Sequence, residues 1–373
     1  MNKKITKSIP AVDLLAQYKS IKGSIDKAIA SVIADSAFIG GKYVEALEKK
    51  VAAYCNTKYA VTLNSGTDAL YLSLWALGIG AGDEVITTPF TFIATAEVIA
   101  VLKATPVFVD IEKDTFNIDA AQIEEKITKK TKAIIPVHLF GQPAQMDKIK
   151  KLAKKYKLFV VEDACQAIGA EFNGKKVGSI GDVGCFSFFP TKNLGGYGDG
   201  GIITTNNKKL ADKIRLLRNH GSIARYHNEI IGVSSRLDGL QASILLAKLP
   251  HLNRWNKRRR EIAKHYNNLL QNINEIQLPK EENSYHVYNQ YTIRVKNGKR
   301  DELRKHLLEH GIASMIYYLT PLHLQEALKY LKHKKGNFPV AETASAEVLS
   351  LPVYPQLTKS KITYIAKYIK NYV

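Results

Sequence analysis

Cysteine is scarce in this chain: its 373 residues hold three, Cys55, Cys165 and Cys185, with no Cys-x-x-Cys pair and no Cys/His ligand spacing. That excludes a disulfide scaffold and a structural zinc site, and it fits a reducing compartment. Long apolar runs are also missing, and no window of ~18 uncharged apolar residues offers a membrane span. The opening stretch MNKKITKSIPAVDLLAQ is basic without an apolar core, which predicts no secretory signal and a cytoplasmic location. Acidic residues are in deficit, 34 against 54 Lys+Arg, a formal net charge of +20. An excess of this size can recruit nucleic acid, a membrane surface or a phosphorylated substrate. The basic residues are spread from Lys3 to Lys370, however, and the densest run, Asn253 to Lys264, reads as helix. Lysine-rich solvated faces therefore account for the charge better, and no basic run is interleaved with base-stacking aromatics.

The remaining composition, 45% apolar and 24% charged, is that of a globular protein. Between Lys58 and Thr205 short apolar runs alternate with amphipathic stretches. Tyr59–Leu63, Glu84–Thr87, Pro106–Val109, Ala133–Val137, Leu158–Val161, Cys185–Phe189 and Gly201–Thr204 are the strand candidates. Asp68–Leu77, Phe92–Leu102 and Met146–Tyr156 are the helix candidates between them. Apolar strands joined by helical crossovers predict an α/β domain with a mostly parallel sheet covered on both faces. A long helical pattern over Leu237–Arg260 marks a shift in composition. Beyond it Tyr285–Val295 and Ala313–Tyr318 read as strands and Arg300–His310 as a helix, a smaller α+β domain. The boundaries predicted are 1–250 for the large domain with its N-terminal segment and 251–373 for the small one.

Three segments place polar groups at the ends of strands, where ligands of open α/β sheets bind. The first, Asn64 to Leu70, runs from a strand into a helix. Gly66 permits close backbone approach, and the helix start offers free N–H groups to an anion; a simple cap by Ser65 or Thr67 would leave the same trace. The second, Val160 to Gln166, puts two acids after a buried strand, either as a helix cap or against a partner charge. The third, Phe186 to Gly201, has Pro190 ending a strand, then a single lysine, then a glycine-rich turn. A lysine in an apolar-walled site has a depressed pKa and serves as a Schiff-base nucleophile. Together they supply a phosphate cradle, a carboxylate for a pyridine nitrogen and an amine for an aldehyde, which is what pyridoxal 5′-phosphate (PLP) needs.

With SGTDAL at 65–70, EDACQA at 162–167 and FSFFPTKNLG at 186–195, the chain resembles the DegT/DnrJ/EryC1/StrS family of PLP-dependent sugar aminotransferases over nearly its whole length. The resemblance implies the aspartate-aminotransferase type I fold and a homodimer with shared active sites. It implies Lys192 as the lysine that joins the cofactor aldehyde and shuttles the proton, and Asp163 as the partner of the pyridinium nitrogen. Gln166 would lie near the ring hydroxyl, Gly66, Thr67 and Ser187 would hold the phosphate, and Phe92 would stack on the ring. Ser234 stands where the family usually has Asn reaching the partner's cofactor phosphate. His138–Pro143, Tyr197–Gly201 and Arg225–Glu229 look most like the branch that aminates C3 of dTDP-3-keto-6-deoxyhexoses. Glutamate is the implied amino donor, and Tyr197, Tyr318 and His323 are candidate sugar contacts. The product would be a dTDP-3-amino-3,6-dideoxyhexose, formed by ping-pong transfer with neither metal nor nucleic acid involved. Relatives that act as dehydratases carry His at the lysine position, and this chain has Lys192. Transfer at C4 and a regulatory, nucleic-acid-binding role on a retained PLP fold are the competing readings.

Overall fold

The computed structural model describes residues 8–282 and 284–372. The basic start of the chain, residues 1–7, lies outside them. The large sheet has seven strands: Tyr59–Leu63 (β1), Glu84–Thr87 (β2), Thr105–Phe108 (β3), Thr131–Ile134 (β4), Phe159–Asp163 (β5), Val183–Ser187 (β6) and Gly201–Thr205 (β7). Their order across the sheet is β1-β7-β6-β5-β4-β2-β3. Every junction is parallel except those of β7, which runs antiparallel to both neighbours. Helices Gly66–Ala76 (α1), Ala94–Val101 (α2) and Lys208–Leu217 (α3) pack on one face over Val61, Val85, Val161 and Ile203. Gly41–Tyr54 and Met146–Tyr156 cover the other. The strands therefore read as continuous apolar runs because both faces are dry.

Each strand candidate between Lys58 and Thr205 falls on an observed strand, displaced by no more than two residues at its start. The predicted Ala133–Val137 runs on past its ladder, which ends at Ile134; Val137 makes only an isolated parallel bridge to Asp163. Helix α2 starts at Ala94, so Phe92 precedes the helix instead of belonging to it.

The C-terminal part departs further from the sequence pattern. The stretch Leu237–Arg260 is two helices, Gly239–Lys248 (α4) and Leu252–Leu270 (α5), broken at the turn Leu249–His251. Pro250 explains the break, since its ring clashes with the preceding helical turn and it lacks an N–H. Tyr285–Val295 also divides. Ser284–Tyr285 pairs with Glu171–Phe172, His286 to Gln290 crosses to the C-terminal core, and the ladder resumes at Tyr291–Val295 (β8) beside Ile276–Gln277 and Val348–Leu351. Ala313–Tyr318 is not a strand: only Met315 bridges Ser350, because Ala313 is taken by Ile9 and Tyr317 and Tyr318 turn toward a cavity. Ile9 and Ile312 share the C-terminal core with Tyr266, Tyr291 and Leu349, so the chain's start is tied to its end. Among the described residues no helix is long and apolar enough to cross a membrane.

Candidate active site

A cavity of about 430 Å³ opens at the carboxyl ends of β1, β5 and β6. It brings together Gly66, Thr67, Phe92, Asp163, Gln166, Ser187, Lys192 and Tyr318 from distant parts of the sequence. Ser65 caps α1 by accepting the Asp68 N–H at 3.0 Å, which leaves the N–H groups of Gly66 and Thr67 without an acceptor among the described residues. A Cβ at Gly66 would lie 2.7 Å from Ser187 Cβ and 2.9 Å from Cys165 Sγ. Only glycine fits there, and the helix start presents an anion-binding edge to the cavity.

Glu162 and Asp163 are adjacent on β5, and the pleat sends them to opposite faces. Glu162 is fully buried. Its carboxylate accepts the N–H groups of Gly178, Ile180 and Gly181 at 2.6–2.8 Å and meets His138 Nε2 at 3.0 Å. Because His138 Nδ1 accepts from the Ala144 N–H, the ring proton sits on Nε2 and faces Glu162. Asp163 faces the cavity instead, accepting from Thr95 Oγ1 at 2.8 Å and from the Cys165 N–H at 3.3 Å. Gln166 is held at both ends of its amide: Oε1 accepts the Phe140 N–H at 2.7 Å and Nε2 donates to Tyr318 Oη at 3.1 Å. Phe92 is 55% exposed, an unusual state for a phenylalanine that is accounted for by its position on the cavity wall.

Lys192 lies on a loop pinched at its base by Phe188, whose N–H donates to Gly200 O and whose carbonyl accepts from the Gly196 N–H, both at 2.7 Å. Its neighbour Asn193 is buried and fully engaged. Asn193 Nδ2 donates to Asn256 Oδ1 and to Val287 O, and its Oδ1 accepts from Asn289 Nδ2. Protein atoms around the Lys192 amine lower its pKa by desolvation, against the opposing pull of Cys165 and Asp163. An amine with a depressed pKa is unprotonated more of the time near neutrality and so is nucleophilic.

Three sequence candidates lie apart from the cavity. Tyr197 does not line it: its N–H donates to Gln241 Oε1 at 2.7 Å, and its ring is turned onto Lys248 and Tyr18. His323 is buried against Phe338 with Nε2 on Glu342 at 3.0 Å, so that side chain is already engaged away from the substrate space. Ser234 is exposed, and its hydroxyl accepts from Arg236 at 3.1 Å. Of the C3-branch segments, His138–Pro143 serves the frame of the site through Glu162 and Gln166, and Arg225–Glu229 lies on an exposed hairpin. Cavity residues that the sequence reading left out include Thr95, Cys165, Asp199, Gln290 and Tyr317. Thr95 had a legible signal, since it follows Phe92 by three positions at a helix start. Gln290 had none, because it comes from a crossing segment with no periodicity.

These residues fit PLP on their own geometry. A cradle that only glycine leaves open supplies N–H groups with no acceptor among the described residues for a phosphate, a buried carboxylate faces the cavity, and a desolvated lysine lines the same cavity. Comparison with known proteins agrees. The chain is 50% identical over 368 residues to a pleiotropic regulatory protein of Geobacillus stearothermophilus, covering 98% of each. It is 47% identical to a UDP-N-acetyl-3-dehydro-alpha-D-glucosamine 3-aminotransferase of Acidithiobacillus ferrooxidans, again over 98% of each. Other relatives at 40–43% identity are named for dTDP-, UDP- and GDP-linked sugars. Among solved structures, S. venezuelae DesV in complex with a ketimine intermediate superposes with a TM-score of 0.96 at 40% identity, over 98% of both chains. The model of the DegT/DnrJ/EryC1/StrS aminotransferase family matches residues 19–370, and the chain belongs to that family as a PLP-dependent aminotransferase of fold type I.

Proposed function

We propose that this enzyme moves the amino group of glutamate to C3 of a dTDP-3-keto-6-deoxyhexose, giving a dTDP-3-amino-3,6-dideoxyhexose. The coarser statement, transamination of a nucleotide-linked keto-sugar, rests on the family and its relatives. The observation that carries it is the convergence of Lys192, Asp163 and the unpaired amides of Gly66 and Thr67 on one cavity. Bound there, PLP supplies an aldehyde for amine exchange and a ring that takes up the electrons of the reacting carbon. Gly66, Thr67 and Ser187 hold the phosphate, and Asp163 keeps the ring nitrogen protonated, itself oriented by Thr95. Gln166, braced by Tyr318, faces the ring hydroxyl, and Phe92 covers a ring face. Lys192 Nζ holds the cofactor at rest and, once released, carries the proton that fixes the new amine. Tyr318 stands where a sugar approaching Lys192 would meet it. Ser234, exposed and apart from its own chain's cavity, belongs to a contact made with a second copy in a homodimer.

One observation favours a second substrate. The relative at 47% identity is named for a UDP-linked 2-acetamido 3-keto sugar, more similar than the dTDP-sugar relatives at 40–43%. The enzyme is incubated with glutamate and either the dTDP-linked or the UDP-linked 3-keto sugar, and the product is read by NMR. Amine at C3 of the dTDP sugar is the expected outcome. Turnover of the UDP sugar alone selects the second reading, and amine at C4 overturns both.

A further inference from the structure

Lys248, at the end of α4, is completely buried, a rare state for lysine. Its Nζ donates to the Gly195 carbonyl at 2.7 Å and lies 4.1 Å from the centre of the Tyr197 ring. Two turns earlier on α4, Gln241 Oε1 accepts the Tyr197 N–H at 2.7 Å. A Cβ on Gly196 would stand 2.7 Å from that same oxygen. One helix thus grips both sides of the glycine turn that closes the Lys192 loop. We propose that Lys248 is a positioning residue for the amine transfer, its ammonium drawn onto the Gly195 carbonyl and the Tyr197 face so that the loop carrying Lys192 is fixed.

A buried ammonium with one hydrogen bond and an aromatic face is poorly compensated, and an apolar side chain of similar length packs there at no loss or with a gain in stability. Burial is the sole cause that lowers the Lys248 pKa, to about 8. The other ionisable groups of this corner are Tyr197 itself, Tyr18 edge-on to it at 6.3 Å, Asp26, which accepts from the Tyr18 hydroxyl at 2.8 Å, and Lys22, which pairs with Asp26 and lies 5.8 Å from the centre of the Tyr18 ring. As pH rises through about 8 the ammonium deprotonates, its hold on the ring face is lost and the loop loosens. The inference rests on Lys192 being the cofactor lysine. Lys192→Ala tests that separately, by loss of the lysine-bound visible absorption.

The test uses the PLP-loaded enzyme and Lys248→Met. The variant is expected to keep its visible band and its melting temperature. Its kcat falls by about tenfold or more, because small misplacements of a reacting group are expensive, while KM for the keto-sugar stays within about twofold. Wild-type kcat is expected to fall as pH rises through about 8, and that fall is expected to be absent in the variant. An unchanged kcat overturns the proposal, and so does a kcat that falls together with the melting temperature, which marks a merely structural lysine. Should Lys248→Met not fold, Tyr197→Leu at its partly exposed position replaces it. A lower kcat at constant KM then supports the proposal; a raised KM at constant kcat makes Tyr197 a substrate contact and overturns it.

Discussion

Asp163 and Glu162 differ by one position on a strand and have unrelated jobs. The pleat turns Glu162 onto three backbone N–H groups and His138, where it anchors the turn at 178–181; it turns Asp163 into the cavity, where Thr95 orients it. Asp163→Asn removes the cavity-facing charge that we propose pairs with the ring nitrogen and leaves the fold, so kcat is expected to fall by about a hundredfold or more at nearly unchanged melting temperature. Glu162→Ala strands several buried donors and is expected to lower unfolding free energy by about 3 kcal/mol or more, measured by denaturant titration. Sequence made this pair visible as two acids after a buried strand. The strand pattern alone did not separate them, because the partners of Glu162 come from residues 138 and 178–181, which no local pattern links to it; only the family resemblance singled out Asp163. Lys192 was legible for the opposite reason, since Pro190 and the glycine turn mark its loop within a few residues.

At the scale of elements, the site is assembled from strand-to-helix turns whose close packing demands particular residues. Gly66→Ala forces a Cβ against Ser187 and Cys165, so the start of α1 must shift from the cradle. PLP affinity is expected to drop about tenfold or more in an absorbance titration, with the protein still folded. Residues 58–205 were readable because apolar runs and amphipathic helices alternate there, whereas the helices Leu14–Ser20, Lys22–Ala34 and Gly41–Tyr54 before them were not read. The C-terminal elements were less readable. Pro250 divides one apparent helix into α4 and α5, and His286 to Gln290 crosses between two cores, mostly buried like a ladder but pairing with no strand. Asn193 meets Asn256 from α5 and Asn289 from that crossing, so the network beside Lys192 is invisible in the sequence.

For the whole molecule, charge governs how substrate arrives. A net charge of +20 favours a pyrophosphate-bearing sugar over a neutral one, and KM for the nucleotide sugar is expected to rise with ionic strength while kcat holds. The fold around that charge brings three sequence segments to one cavity, and that convergence is the central claim. The measurement that bears on it most directly is the absorbance spectrum of the purified protein before and after glutamate. A visible band that collapses into the near-ultraviolet on glutamate addition is the predicted result, since Lys192 then yields the cofactor to the donor's amine. A protein that shows no visible band even after added PLP contradicts the account.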